Sequence, residues 1–365
     1  MTTVTFFTTS YPSEAQEASG RFIAELAEEF SKQGRRPTVV RAPCMGWAEG
    51  GGPDALESGS GLSYLGSVVS AVGLVSAGLT RRGAVGTVNV GHWLVPGALA
   101  ALAAGGRAVA YAHGGDVALL ERLPLGRLYA RHLDAHLDGL VFVSEDLRTR
   151  FETLLKTTPR CASVVLPMGV AAAAPDALGL GAKLAPKGRA RRIVSVGRLV
   201  PLKGHETLVR ALSGLSEVEL CIAGEGAERR SLSELARTLG VILQLPGQLS
   251  PGERDALLET ADLFVLPSRA IGSRVEGSPV ALMEAMRSGL ACIASRTGGV
   301  AEVARGSAVR MFPSGDVEAL RLEVQALLSC PEGRAREGNL NAVHGRRFAW
   351  EVLGPEHVRF VFFGA

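Results

Sequence analysis

Short apolar runs of β type alternate with helical patterns along almost the whole chain. This alternation, more than any other feature, limits the folds open to it. In the first half the runs are Val4–Thr8, Thr38–Arg41, Thr87–Val90, Ala108–Ala112, Leu140–Val143 and Ser163–Leu166. In the second they are Arg192–Val196, Glu219–Ala223, Ile242–Leu245, Leu263–Leu266, Ala291–Ala294 and Ala308–Met311. Most are continuously apolar, as strands buried on both faces are. Helical stretches separate them, among them Gly20–Gln33, His205–Leu215, Ala227–Leu239 and Arg254–Thr260. Such alternation predicts parallel sheets joined by right-handed crossovers.

A chain of 365 residues is long enough for two such domains. The segment Ala171–Arg189 is rich in Ala, Gly, Pro and Lys and lacks periodicity, so it reads as the linker. The expected domains are 1–180 and 181–349, with an apolar helix at 350–365 packing back on the first. The fold class is α/β, two doubly wound Rossmann-like domains facing a cleft. Ligands of doubly wound sheets bind beyond the C-terminal ends of the strands, so functional residues are sought there.

Composition excludes other classes. With 47% apolar residues the chain can bury large cores, which disfavours disorder. The net charge is +3, and only five of the cations are lysines (Lys32, Lys156, Lys183, Lys187, Lys203). With no long basic tract, nucleic acid is not an expected partner. The cysteines (Cys44, Cys161, Cys221, Cys292, Cys330) are scattered and odd in number, which suggests neither a disulfide framework nor a zinc site. The N-terminus lacks a basic leader pattern and reads as a first strand. Ser58–Thr80 carries no charge, and Leu62, Leu65, Val69, Val72, Val75 and Leu79 form a helical stripe. The first reading is a helix packed in the domain. The second is a membrane-facing helix ending at Arg81-Arg82.

The densest constellation follows the run Leu263–Leu266. Glu276-Gly277-Ser278-Pro279 leads into a helix carrying Glu284 and ending at Gly289. Ser278 is expected to cap that helix and Pro279 to fill its first position. Two carboxylates then flank a helix start, whose free N–H groups and dipole favour an anion or polar hydroxyls. Alone, two glutamates eight positions apart also describe an ordinary exposed helix start. The turn Gly298-Gly299 after the next strand strengthens the functional reading. Earlier, Gly197-Arg198 ends a strand and Lys203-Gly204 follows five positions later. Two cations there suit a diphosphate, Arg as a fork and Lys as a point charge.

This combination resembles the glycosyltransferase family 4 group of retaining enzymes with the GT-B fold. Gly197-Arg198-Leu199 with Lys203-Gly204 looks like that family's diphosphate clamp. Glu276 to Glu284 looks like its Glu-x7-Glu signature, though Ser278 stands where members commonly carry a bulkier residue. In the first half, Gly20 resembles the glycine that approaches the donor phosphate. Gly91-His92-Trp93 resembles a phrase of polysaccharide-building members. Tyr111-Ala-His113-Gly-Gly-Asp116 resembles the His-Gly-x-Asp turn. The resemblance implies that His113, Arg198, Lys203 and Glu276 are catalytic. It implies that Gly20, Asp116, Gly197, Gly277, Ser278, Pro279, Glu284, Gly298 and Gly299 bind substrate. Asp116 is open to three roles: orienting His113, binding an acceptor hydroxyl, or capping the next helix.

The implied reaction moves a hexosyl unit from a UDP- or GDP-sugar to the hydroxyl of a glycan or lipid-linked acceptor, in polysaccharide, glycolipid or envelope glycan synthesis. No Asp-x-Asp triplet occurs and no Gly-x-Gly-x-x-Gly follows the first strand. The expectation is therefore no cofactor and no metal. A cytoplasmic location is expected, with peripheral contact at the inner membrane face. Two other readings stay open, a nucleotide-sugar epimerase or hydrolase and a non-catalytic nucleotide-sugar-binding scaffold.

Overall fold

The computed structural model describes residues 3–12, 20–42, 61–82, 86–171 and 190–364, with backbone alone for 61–67. It divides into two compact units, Met1–Gly169 with Trp350–Ala365, and Val170–Ala349.

The first unit is built on β1 (Thr3–Thr8), β2 (Pro37–Arg41), β3 (Thr87–His92), β4 (Arg107–Ala112), β5 (Gly139–Phe142) and β6 (Ala162–Val165). They form one parallel sheet in the order β2-β1-β3-β4-β5-β6. The second unit holds β7 (Arg191–Val196), β8 (Val218–Ala223), β9 (Ile242–Gly247), β10 (Leu263–Leu266), β11 (Cys292–Arg296) and β12 (Arg310–Pro313). Their order is β12-β11-β10-β7-β8-β9, again all parallel. Each of the twelve apolar runs is a strand, with ends within two residues of those expected. For the inner strands the reason is burial on both faces: every residue of β5 and of β10 is buried, whereas the edge strands β2 and β9 are partly exposed.

The strand orders locate the crevices. In the first sheet the chain reverses its direction of growth between β1 and β3, and in the second between β7 and β10. Beyond such a reversal the connections leave in opposite directions and open a gap at the C-terminal strand ends.

One helix departs from expectation. The uncharged segment forms Gly61–Leu79, but Val69, Val72 and Leu79 of its apolar stripe are not on the packed face. Val69, Val72 and Leu79 are 43%, 60% and 52% exposed. Ser70, Leu74 and Gly78 face inward instead. The helix packs on Gly97–Ala104, and a Cβ at Gly78 would lie 2.3 Å from the carbonyl oxygen of Ala100. A small-residue contact therefore sets the rotation, and the branched side chains are left outside.

The last helix, Trp350–Phe363, belongs to the first unit. Trp350 donates from Nε1 to Glu25 (3.0 Å), and its ring lies where a Cβ of Gly169 would be. Of the expected linker Ala171–Arg189, residues 172–189 lie outside the described residues, as does Cys44. The cysteines within them (Cys161, Cys221, Cys292, Cys330) are free.

Candidate functional site

In the second unit the candidate residues converge at the switch point. After β7, Gly197-Arg198 leads into a single 3-10 turn, Pro201–Lys203, closed by Gly204 at φ +64°. A Cβ on Gly204 would sit 2.0 Å from the carbonyl oxygen of Pro267, just past β10. Only glycine fits both that backbone and that approach. The contact brings Lys203 to Glu276: Lys203 Nζ donates to Glu276 Oε1. Ser268 Oγ donates to the other oxygen (3.2 Å). Arg198 is largely buried, which lowers its pKa, while the charge of Glu276 acts the opposite way. Glu276 is thus a buried carboxylate between two cations.

Gly298 and Gly299 shape the far side. The backbone N–H of Gly299 donates to the carbonyl oxygen of Glu276 (2.9 Å). Gly298, at φ +42°, would bring a Cβ within 2.6 Å of the same oxygen. The glycines bind the loop of Glu276 to the start of the short helix Gly298–Ala304.

Ser278 does not cap the helix. Its own carbonyl takes the N–H of Val280 (3.0 Å), so the helix begins at Val280 with Pro279 as its N-cap. The Ser278 hydroxyl is buried and unpartnered, as is that of Thr297 at the second helix start. Glu284, one turn into Val280–Arg287, pairs with Arg254 (2.8 Å), both side chains mostly covered. Arg254 was not among the sequence candidates. Its signal was the Ser250–Glu253 capping box, which fixes the helix Pro251–Thr260 and so the position of Arg254.

In the first unit, His113 follows β4 and Gly114 enters a helix at φ +125°. Asp116 is fully buried and organises this turn. Its Oδ1 accepts the N–H groups of Gly114 (2.8 Å) and Val117 (3.0 Å), and Oδ2 that of Leu94 (2.8 Å). The N–H of His113 approaches both oxygens, the nearer at 3.2 Å. Of its three possible roles, holding the backbone around His113 is the one its bonds occupy. Burial raises its pKa, and the same N–H groups oppose the rise. Gly20, at φ +64°, is the N-cap of Arg21–Lys32 and would place a Cβ 2.2 Å from the carbonyl oxygen of Ser10.

His113 sits in a column of rings. Its Nε2 lies 3.2 Å from His92 Nδ1, and the Phe22 and Trp93 ring centres are 5.0 and 4.7 Å away. Tyr111 and His357 continue the column through a hydroxyl–Nδ1 hydrogen bond (3.0 Å), and His357 Nε2 meets the carbonyl oxygen of Pro167 (3.1 Å). Burial holds these imidazoles neutral: His113 is pushed down to about 3, His357 to about 4, and His92 well below its ordinary value.

The unfolded chain would protonate these histidines near pH 6.5. Stability is therefore full above that value and falls as pH drops toward the folded pKa values. For His357 the loss is about 1.4 kcal/mol per pH unit between pH 6.5 and about 4. Urea melts at pH 7.5 and 5.0 should show the lower midpoint at pH 5.0. A flat profile would contradict neutral burial.

Among the described residues no group of His, Cys, Asp or Glu side chains is placed to hold a metal ion. Nor is any helix there long and apolar enough to cross a membrane.

Two doubly wound parallel sheets, each with a switch point at its C-terminal strand ends, are the architecture of the GT-B class. Comparison with known proteins agrees. Residues 181–340 match the family model described as glycosyl transferases group 1. The GDP-mannose-dependent alpha-(1-6)-phosphatidylinositol monomannoside mannosyltransferase of Mycolicibacterium smegmatis is 33% identical over 276 residues, 71% of this chain and 70% of that one. Sucrose-phosphate synthase from Thermosynechococcus elongatus superposes with a TM-score of 0.75 at 17% identity, covering 99% of this chain and 98% of the other. HepE of Anabaena in complex with UDP-glucose gives 0.71 at 17% identity, covering 99% of each. The chain belongs to the group 1 glycosyl transferases. It is a glycosyltransferase that uses a nucleotide-diphosphate sugar.

Proposed function

We propose that the chain is a retaining hexosyltransferase that takes its sugar from a GDP-sugar, GDP-mannose first, and delivers it to a hydroxyl of a glycolipid acceptor. The observation that carries the reading is the buried Lys203–Glu276–Ser268 cluster at the β7/β10 switch point. The donor sugar and lipid acceptor are taken from the mannosyltransferase relative, whose name specifies both.

In this reading Arg198 and Lys203 hold the diphosphate and stabilise the charge that develops as the nucleotide leaves. Glu276, freed as Lys203 turns to the diphosphate, accepts hydroxyls of the transferred sugar. Gly197, Gly277, Pro279, Gly298 and Gly299 let backbone approach the donor, and the Ser278 hydroxyl has bonding capacity to spare. Glu284, steadied by Arg254, binds the ribose. His113 contacts the transferred sugar and Gly20 the donor phosphate, as the family resemblance implies. The acceptor attacks on the leaving-group face and passes its proton to the donor phosphate, so no nucleophile from the chain is needed. The cations do the work of a metal.

A thermal-shift screen of GDP-mannose, UDP-glucose and ADP-glucose tests the donor, because a ligand of the folded state raises the melting temperature. GDP-mannose should give the largest shift, and transfer from it should survive EDTA. A larger shift with UDP-glucose, or loss of transfer in EDTA, would overturn those assignments.

The acceptor reading includes contact with an anionic lipid surface at the inner membrane face. Leu123, Leu125 and Leu128 are 45%, 70% and 63% exposed beside Arg122 and Arg131. The outward stripe on Gly61–Leu79 likewise ends at exposed Arg81-Arg82. Apolar side chains with cations at their rim suit such a surface. Co-sedimentation with anionic vesicles should fall in a Leu125→Glu, Leu128→Glu variant, and unchanged binding would rule out the Leu123–Leu128 surface.

A further inference from the structure

His92 closes β3 with no exposure to solvent. Close packing fixes its backbone: a Cβ on Gly97, at the start of the next helix, would stand 2.2 Å from the His92 carbonyl oxygen. Its ring lies among those of Phe6, Tyr111 and His113, with ring centres 5.0, 4.9 and 5.5 Å away. Among the described residues its side chain makes one hydrogen bond, between Nδ1 and His113 Nε2, and its own Nε2 is buried without a partner. A buried nitrogen left unpaired costs stability. Here that cost falls on the residue bonded to the imidazole of His113. We propose that His92 is a positioning residue: it fixes the proton of His113 on Nδ1, so that His113 presents an N–H, and not a lone pair, to the substrate.

Counting protons leads to this assignment. Both rings are neutral, so each carries one N–H. One proton lies between His92 Nδ1 and His113 Nε2, and it belongs to one ring or the other. If it were His113's, the proton of His92 would sit on Nε2, and the chain would bury an N–H with no acceptor. If it is His92's, Nε2 is left with a lone pair against the flanking rings. Orphaned buried N–H groups are the rarer defect, so the shared proton is assigned to His92. His113 then accepts at Nε2 and carries its own proton on Nδ1. His113, unlike His92, is only part-buried, and Nδ1 is the nitrogen that His92 leaves free.

The neighbours do not take over this role. His357 Nε2 must be protonated to donate to the carbonyl oxygen of Pro167 (3.1 Å), so its Nδ1 accepts, and the Tyr111 hydroxyl donates to it (3.0 Å). The Tyr111 proton is thus spent away from His92. Asp116 holds the backbone N–H of His113 and leaves its ring to His92. With Nε2 engaged and Nδ1 already protonated, neutral His113 has no nitrogen left to take a proton. It can donate to an oxygen of the substrate, and the acceptor's proton must go elsewhere. That His113 meets substrate rests on the glycosyl-transfer reading; the place of its proton does not.

Long-range proton–nitrogen correlation NMR on the full chain, labelled in histidine and assigned by single substitutions, reads the tautomer. In the resting wild type His92 and His113 should both carry the proton on Nδ1. His92→Leu should lower kcat/KM about 10–100-fold, the scale of losing a group that orients a functional imidazole. GDP binding should be unchanged in that variant. His92→Asn, whose amide can donate in place of the Nδ1–H, should recover most of the loss. A proton on His113 Nε2, unchanged kcat/KM in His92→Leu, or equal losses in the leucine and asparagine variants would overturn the proposal. The wild-type spectrum decides even where a variant folds poorly. A wild type that transfers no sugar but holds both protons on Nδ1 would fault the glycosyl-transfer reading and leave the proton's assignment standing.

Discussion

Replacing Lys203 with alanine is expected to lower kcat/KM for glycosyl transfer by about 10²–10³-fold, the scale of losing one preorganised charge at a leaving group. The loss should fall mainly on the donor side, because Lys203 lies with Arg198 at the β7 end. A second effect follows from the resting structure. Lys203 is bonded to Glu276, and Glu276 is 7% exposed. Removing the cation leaves a buried carboxylate with Arg198 as its nearest remaining compensation, so stability should also drop, by about 3 kcal/mol at most. The double variant Lys203→Ala, Glu276→Gln removes both charges. It should recover most of the stability and none of the activity. Steady-state kinetics with calorimetry on the three proteins distinguishes a chemical role from a structural one. More than a tenth of wild-type kcat/KM in Lys203→Ala would sink the clamp assignment.

The largest effect on folding is expected at Asp116. Its carboxylate takes backbone N–H groups from Leu94, His113, Gly114 and Val117 with no exposure to solvent. Alanine would strand buried donors that cost about 1–3 kcal/mol each when unmade. Relief of burying a charge offsets part of this, as the raised pKa indicates. A net loss of about 3–5 kcal/mol, on the order of 10 °C in Tm, is the expected result. Asp116→Asn should be milder. One oxygen can still serve Gly114 and Val117, while its NH2 opposes the N–H of Leu94. Thermal melts order the three proteins. An alanine variant within 1 kcal/mol of wild type would refute the organising role.

The inner strands were legible because burial on both faces writes a continuous apolar run, whatever the neighbours are. The meeting of Lys203 with Glu276 was legible because each follows a strand, and strand ends of a doubly wound sheet converge. Arg254 was not, because nothing local to it marks its partner: Glu284 is thirty residues away on another helix. Asp116 was half legible. Its place in the turn could be read, but not that its bonds go to backbone N–H groups, one of them from Leu94 on a different loop. The stripe on Gly61–Leu79 misled because periodicity reports a side of a helix and not which neighbour claims it. Gly78, with no side chain to count, determined the contact. The unpartnered hydroxyls of Thr9 and Ser10 gave no signal in sequence, since an unmet hydrogen bond exists only once its surroundings are folded.

The Lys203–Glu276 pair also bears on how the site behaves in a salty, phosphate-rich medium. The site carries its own counter-ion. An inorganic anion that reaches Lys203 must displace Glu276 and leave that carboxylate stranded, so it gains only the difference between two similar attractions. In the proposed reading a sugar diphosphate suffers no such loss, because its hydroxyls re-employ the displaced glutamate. Selectivity for the intact donor over its phosphate fragments is therefore expected from one exchange of partners, with no separate gate.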